Sequence, residues 1–111
     1  MIGSSSRILR NVMRGEAFYF FTSIGNYTGQ SASSLDEFLV RLRDIDVKSL
    51  EFHLFREDFE KWVSQTLGDS RLAEEIRGLR LQKVSGNALR DRLFLLVSKR
   101  LKELKGPVVA R

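Results

Sequence analysis

Ser34-Leu35-Asp36-Glu37-Phe38-Leu39-Val40-Arg41-Leu42-Arg43-Asp44 decides the fold class, because one short run carries both a start signal and a period. Ser34 followed by Glu37 is a capping box, in which the hydroxyl accepts from the Glu37 amide and the carboxylate reaches back to the cap. Leu35, Phe38, Leu39 and Leu42 then recur at i, i+3, i+4 and i+7, one apolar face of a helix running to about Asp44. Such a face must be covered, and the chain beyond it supplies more helices of the same kind.

Asp46 can cap a second short helix through Lys48, Leu50 and Leu54. A third is expected from about Asp58, with Phe59, Trp62, Val63 and Leu67 inward and Gly68 as its stop. Asp69 or Ser70 opens a fourth, with Leu72, Ala73 and Ile76 inward and Gly78 as its stop. Residues 79–85 read as a connector. Ser85 then caps the longest helix, which runs to about Lys105 before Gly106-Pro107 ends it. Its stripe is Leu89, Leu93, Leu96, Val97, Leu101 and Leu104, and Phe94 and Leu95 widen the apolar surface beyond one face. That width predicts burial on two sides or a partner.

Toward the N-terminus, residues 1–6 read as a disordered Ser-rich start, and Ile8–Met13 as a short helix ended near Gly15. Ala17 to Thr22 is aromatic and favours a strand, the Gly25-Asn26 pair signals a turn, and Tyr27 to Ala32 completes a hairpin. The alternative is one helix from residue 8 through Ile24, against which Gly15 counts at about 1 kcal/mol. The hairpin is preferred. The expected fold is therefore mainly α: a compact bundle of short helices plus one long C-terminal helix, with a short N-terminal extended segment or β-hairpin. Residues 7–105 form the single domain, between the 1–6 start and a 106–111 tail.

Composition agrees with one small domain: 111 residues, 42% hydrophobic, with eight Phe for the core. The absence of Cys removes thiolate zinc sites, thiol nucleophiles and disulfides, and a single His removes multi-histidine cages. No metal and no cofactor is expected. The apolar runs Ala17–Phe21 and Leu93–Val97 fall far short of the roughly twenty residues a spanning helix needs, and no signal peptide is evident. The expected compartment is the cytoplasm, with no membrane partner.

Charge is uneven along the chain. Residues 1–15 hold Arg7, Arg10 and Arg14 without acids; residues 16–79 hold twelve acids and seven bases; residues 80–111 hold nine bases against Asp91 and Glu103. The basic ends either fold back on the acidic middle or face outward toward polyanions.

Several blocks in order carry a resemblance. They are Phe18-Tyr19-Phe20-Phe21-Thr22, Gly25-Asn26-Tyr27-Thr28-Gly29, Ser34-Leu35-Asp36-Glu37-Phe38, and Ser49-Leu50-Glu51-Phe52-His53. Asp58-Phe59-Glu60-Lys61-Trp62-Val63 and Leu67-Gly68-Asp69-Ser70-Arg71-Leu72-Ala73 complete the set. The chain resembles a family of small uncharacterised prokaryotic, largely archaeal, proteins of the domain-of-unknown-function type. Its signature here is His53, then Asp-Phe-x-x-Trp, then Gly-Asp-x-x-Leu-Ala, over about half the chain. The resemblance implies a helical module with a short extended N-terminal segment. It implies no catalytic assignment, and it does not reach the basic segment after residue 80.

Three constellations bear on chemistry. His53 has Glu57 four residues on and Asp58 five on, so an unbroken helix would put His53 and Glu57 on one face as metal ligands or as a base and its orienter. The structural alternative, that His53 packs beside Trp62 and hydrogen-bonds a backbone carbonyl or the Asp58 carboxylate, is preferred. Phe52, Phe55, Phe59 and Trp62 read as a core cluster. Gly25–Gly29 lacks the Lys of a phosphate loop and reads as a tight turn, beside which Tyr27, Thr28 and Gln30 could line a small-ligand pocket.

The leading expectation is a non-enzymatic protein-binding or adaptor module of unknown partner, self-associating or docking through residues 86–105. The alternative is sequence-independent RNA or DNA binding through Arg7, Arg10, Arg14, Arg92, Lys99, Arg100 and Lys102. A remote third is a ligand or catalytic site at His53, Glu57, Asp58 and Tyr27.

Overall fold

The computed structural model describes residues 2–106. Met1 and residues 107–111, which make up most of the expected tail, lie outside the described residues. Helix α1 (Ile2–Leu9) takes in residues 2–6, read from the sequence as a disordered start, and stops before the expected Ile8–Met13 helix could form. The chain then runs extended, and the Val12 N–H donates to the Ser33 carbonyl at 2.8 Å.

Strands β1 (Phe18–Ser23) and β2 (Asn26–Ala32) form an antiparallel hairpin with Phe18 opposite Ala32 and Ser23 opposite Asn26. The loop is Ile24-Gly25, one residue earlier than the Gly25-Asn26 expected, with Gly25 at a left-handed φ of 80°. β1 turns Phe18 and Phe20 into the core, as the period of two requires.

Helix α2 (Leu35–Asp44) starts at Ser34, whose Oγ accepts from the Glu37 N–H at 3.1 Å. The return bond goes to the Ser33 N–H, one residue before the cap, because Glu37 Oε1 accepts there at 2.7 Å. Helix α3 (Val47–Phe55) is capped by Asp46. Glu57, at a left-handed φ of 70°, turns the chain into α4 (Asp58–Lys61). That helix widens into a π-turn over Trp62–Leu67 and ends at Gly68.

Helix α5 (Ser70–Leu81) runs through Gly78, which keeps an ordinary helical backbone and does not stop it. The stop is Lys83, at a left-handed φ of 57°, with the Val84 N–H reaching back to the Leu79 carbonyl. Helix α6 (Gly86–Lys105) begins after Ser85, whose side chain makes no capping bond; Glu51 of α3 accepts the Gly86 N–H instead, at 2.7 Å.

α6 is the spine of the bundle and packs against α1, α2, α3 and α5. Its Leu89, Leu93, Val97 and Leu101 are buried, Phe94, Leu96 and Leu104 pack at the core's edge, and Leu95 faces out. The wide apolar surface of this helix is thus mostly consumed by burial on several sides. No helix among the described residues is long and apolar enough to cross a membrane.

Candidate functional site

The aromatic centre is built from Phe18, Phe20, Phe38, Phe59 and Trp62, with the His53 ring set edge-on to Phe18 at 4.8 Å between centroids. Of the aromatic cluster expected from α3 and α4, only Phe59 and Trp62 belong to it. Leu50, His53 and Leu54 define the inward face of α3, so Phe52 and Phe55, two and five positions from Leu50, fall on the outer side.

His53 is 4% exposed and has both ring nitrogens engaged. Its Nε2 accepts the Phe21 N–H of β1 at 2.8 Å, which places the ring proton on Nδ1, and Nδ1–H donates to Asp58 Oδ2 at 2.8 Å. Burial lowers the His53 pKa, with the Asp58 hydrogen bond and charge pulling the other way. The ring is a neutral peg joining hairpin, α3 and α4, and it has no spare lone pair for a metal or a proton. Glu57 does not share its face: the helix breaks between them, and the Glu57 carboxylate lies 3.8 Å from Arg80. Among the described residues no group of three or more metal-ligating side chains occurs.

Beside this peg the hairpin and α3 leave a cleft of about 430 Å³, walled by Phe18, Phe21, Ile24, Phe52 and Trp62 with Arg56 and Asp58 at its rim. Trp62 is buried at the back and donates Nε1–H to the Glu16 carbonyl at 2.8 Å. A second depression, sharing Phe52 and Arg56 with the first, includes Phe55 and Lys48. A third shares Phe55 and adds Leu81 and Lys83. Together they form one strip across the outer face of α3, from the hairpin tip to the end of α5. Ile24 is 83% exposed, Phe55 46% and Leu81 58%.

The basic residues nominated for nucleic acid do not assemble into one surface. Arg10 donates to the Arg7 and Thr66 carbonyls, and the Arg7 guanidinium lies over Gly68, where a Cβ would clash with it. Arg100 grips Asp69, 1% exposed, through Nε and Nη2 at 2.8 and 3.1 Å, and also reaches Glu103. Arg10 and Arg100 are therefore structural ties at the Thr66–Asp69 corner, and Arg7 lies exposed beside them. Arg14 sits in a short 3-10 turn near Tyr19, and Arg92 lies toward the opposite end of α6, by Gln82. Lys99 and Lys102 are exposed.

Near the hairpin, Thr28 and Gln30 do line a pocket of about 410 Å³ against Arg41, Asp44, Ile45 and Asp46. Tyr27 is not part of it and packs on Tyr19 and Phe21 instead.

Each block of the sequence signature has a task in this arrangement: His53 and Asp58 bond one another, Trp62 ties down Glu16, and Asp69 caps α5 while holding Arg100. No curated protein and no solved structure matches the chain. One family profile does, over residues 13–111, so the likeness runs on through the basic C-terminal helix. The chain belongs to the family of unknown function DUF5752.

Proposed function

We infer that this protein is a non-enzymatic protein-binding module whose partner docks on the outer face of α3. One observation carries the reading: Phe52 and Phe55 stand outside the core on a helix packed on its other side, in line with exposed Ile24 and Leu81. Exposed apolar surface of this kind costs solubility unless something covers it. The neutral, fully bonded state of His53 supports the non-enzymatic half of the reading. The proposed compartment is the cytoplasm.

The test compares the full chain with an Ile24→Asp/Phe55→Asp variant and a Leu95→Asp control, each immobilised and exposed to host lysate. A protein retained by wild type and by the control, but lost from the double variant, is the expected result. A partner held equally by the double variant, or no retained protein at all, overturns the reading.

A second reading, sequence-independent binding of RNA or DNA, draws on α1 lying against α6, which brings Arg7 to the corner that Arg100 occupies. It predicts a steep loss of affinity with salt that Lys99→Glu/Lys102→Glu flattens. Arg100 is unsuitable for this test because its loss would strip Asp69 of its counter-ion.

A further inference from the structure

We propose, building on the docking face just described, that the segment filling it is an acidic, amphipathic stretch of another protein. The charge layout around the strip leans positive once internal pairs are removed. Asp58 serves His53 and Arg56, and Glu57 and Glu60 face Arg80. Glu51 accepts the Gly86 N–H and keeps its charge, one carboxylate against two lysines. The cations are less fully spent. Among the described residues neither Lys48 nor Lys83 forms an ion pair. Arg56 lies over the Phe52 ring at 5.0 Å, is half exposed, and touches one carboxylate oxygen.

Lys83 adds a separate indication. It occupies the left-handed stop position of α5, where glycine is the unstrained choice. A long cation is kept there at a conformational cost, beside Phe55 and Leu81 in the third depression. Apolar side chains spaced one helical turn apart would fill the three depressions, and acids on their flanks would meet Lys48, Arg56 and Lys83. A second copy of this chain suits the face poorly, since a two-fold contact would set the same lysines against one another. Nucleic acid suits it less well, because of the exposed apolar side chains along it only Phe55 carries a ring for a base to stack on, and Ile24 and Leu81 at the two ends do not.

The experiment is a selection of random displayed peptides on the full-length protein, with Phe55→Asp protein as counter-selection. Expected are peptides with apolar residues at helical spacing flanked by Asp or Glu. Binding of a synthesised winner should fall about tenfold on Lys48→Glu/Lys83→Glu protein and return when its acids are exchanged for Lys. Winners that are neutral or basic yet lost on Phe55→Asp overturn the acidic partner while leaving the α3 face in place. Winners indifferent to Phe55→Asp, or no enrichment, overturn both. Displacement of a winner by a 20-residue single-stranded RNA that itself binds as tightly assigns the cations to nucleic acid and overturns the proposal.

Discussion

The Phe21 N–H donates to His53 Nε2 at 2.8 Å, a bond between a strand and a helix 32 residues apart that only a neutral imidazole can accept. A proton on Nε2 would set donor against donor. Burial holds the His53 pKa below its usual value of 6.5, so the unfolded chain takes up the proton first. Stability is therefore complete above about pH 6.5 and declines as pH falls from there toward the folded pKa. Melting temperature should drop between pH 7.5 and 5.5, and His53→Ala should flatten that part of the profile. At pH 7.5 the same change should cost about 1–3 kcal/mol for the stranded Phe21 donor. An unaltered slope in the variant would show that the proton goes elsewhere.

Arg100 and Asp69 make the most consequential charge pair. The carboxylate is almost wholly enclosed and also caps α5 through the Leu72 N–H. Arg100→Ala leaves it without a counter-ion, so a loss of about 3–5 kcal/mol is expected in urea unfolding. Lys99→Ala and Lys102→Ala, on exposed neighbours, should change stability by less than about 0.5 kcal/mol.

Lys83→Gly should raise stability. The left-handed backbone costs a residue with a Cβ about 1–2 kcal/mol, and the greater freedom of glycine in the unfolded chain returns part of that. A net gain of about 0.5–1 kcal/mol is expected, together with weaker binding of acidic peptides. Loss of stability would mean that the lysine side chain holds α5 to its neighbours.

Much of the helical frame is legible in the sequence because its signals are local. Ser34, Asp46 and Asp69 lie within three residues of the amides they cap, and Gly68 marks its stop by its own backbone. Gly78 misleads because a glycine can sit inside a helix when the left-handed turn falls elsewhere, here at Lys83. The apolar strip outside α3 is hidden for a different reason. Val47, Leu50, Phe52, Leu54 and Phe55 surround α3 with apolar side chains, so no period distinguishes the inner face from the outer. His53 between Leu50 and Leu54 is the one sign of direction, and reading it requires placing a polar ring in the core. The Asp69–Arg100 pair, 31 residues apart, leaves no local trace at all.

Ser49 is fully buried on α3, and its hydroxyl has no hydrogen-bond partner among the described residues. The Ile45 carbonyl four residues back, a usual acceptor for a helical serine, is taken by Arg90 at 2.6 Å. Ser49→Ala removes the unpaired group with little change in volume and should stabilise the protein by about 1 kcal/mol in thermal unfolding. A destabilised variant would place a buried water on that hydroxyl.

Phe55 and Phe59 lie on successive helices and should respond very unequally to the same substitution. Phe59 is enclosed by Phe18, Phe20, Phe38 and His53, so Phe59→Ala opens a cavity among rings and should cost about 3–5 kcal/mol. Phe55 has water on its outer side, and Phe55→Ala should alter stability by no more than about 0.5 kcal/mol. The surface variant should also stay soluble at higher concentration, because the middle of the apolar strip is gone. Matched urea titrations of the two variants, with a precipitation assay on the second, check both halves. Equal losses of stability would mean that Phe55 supports the fold, and the α3 face would lose its standing as a place for a partner.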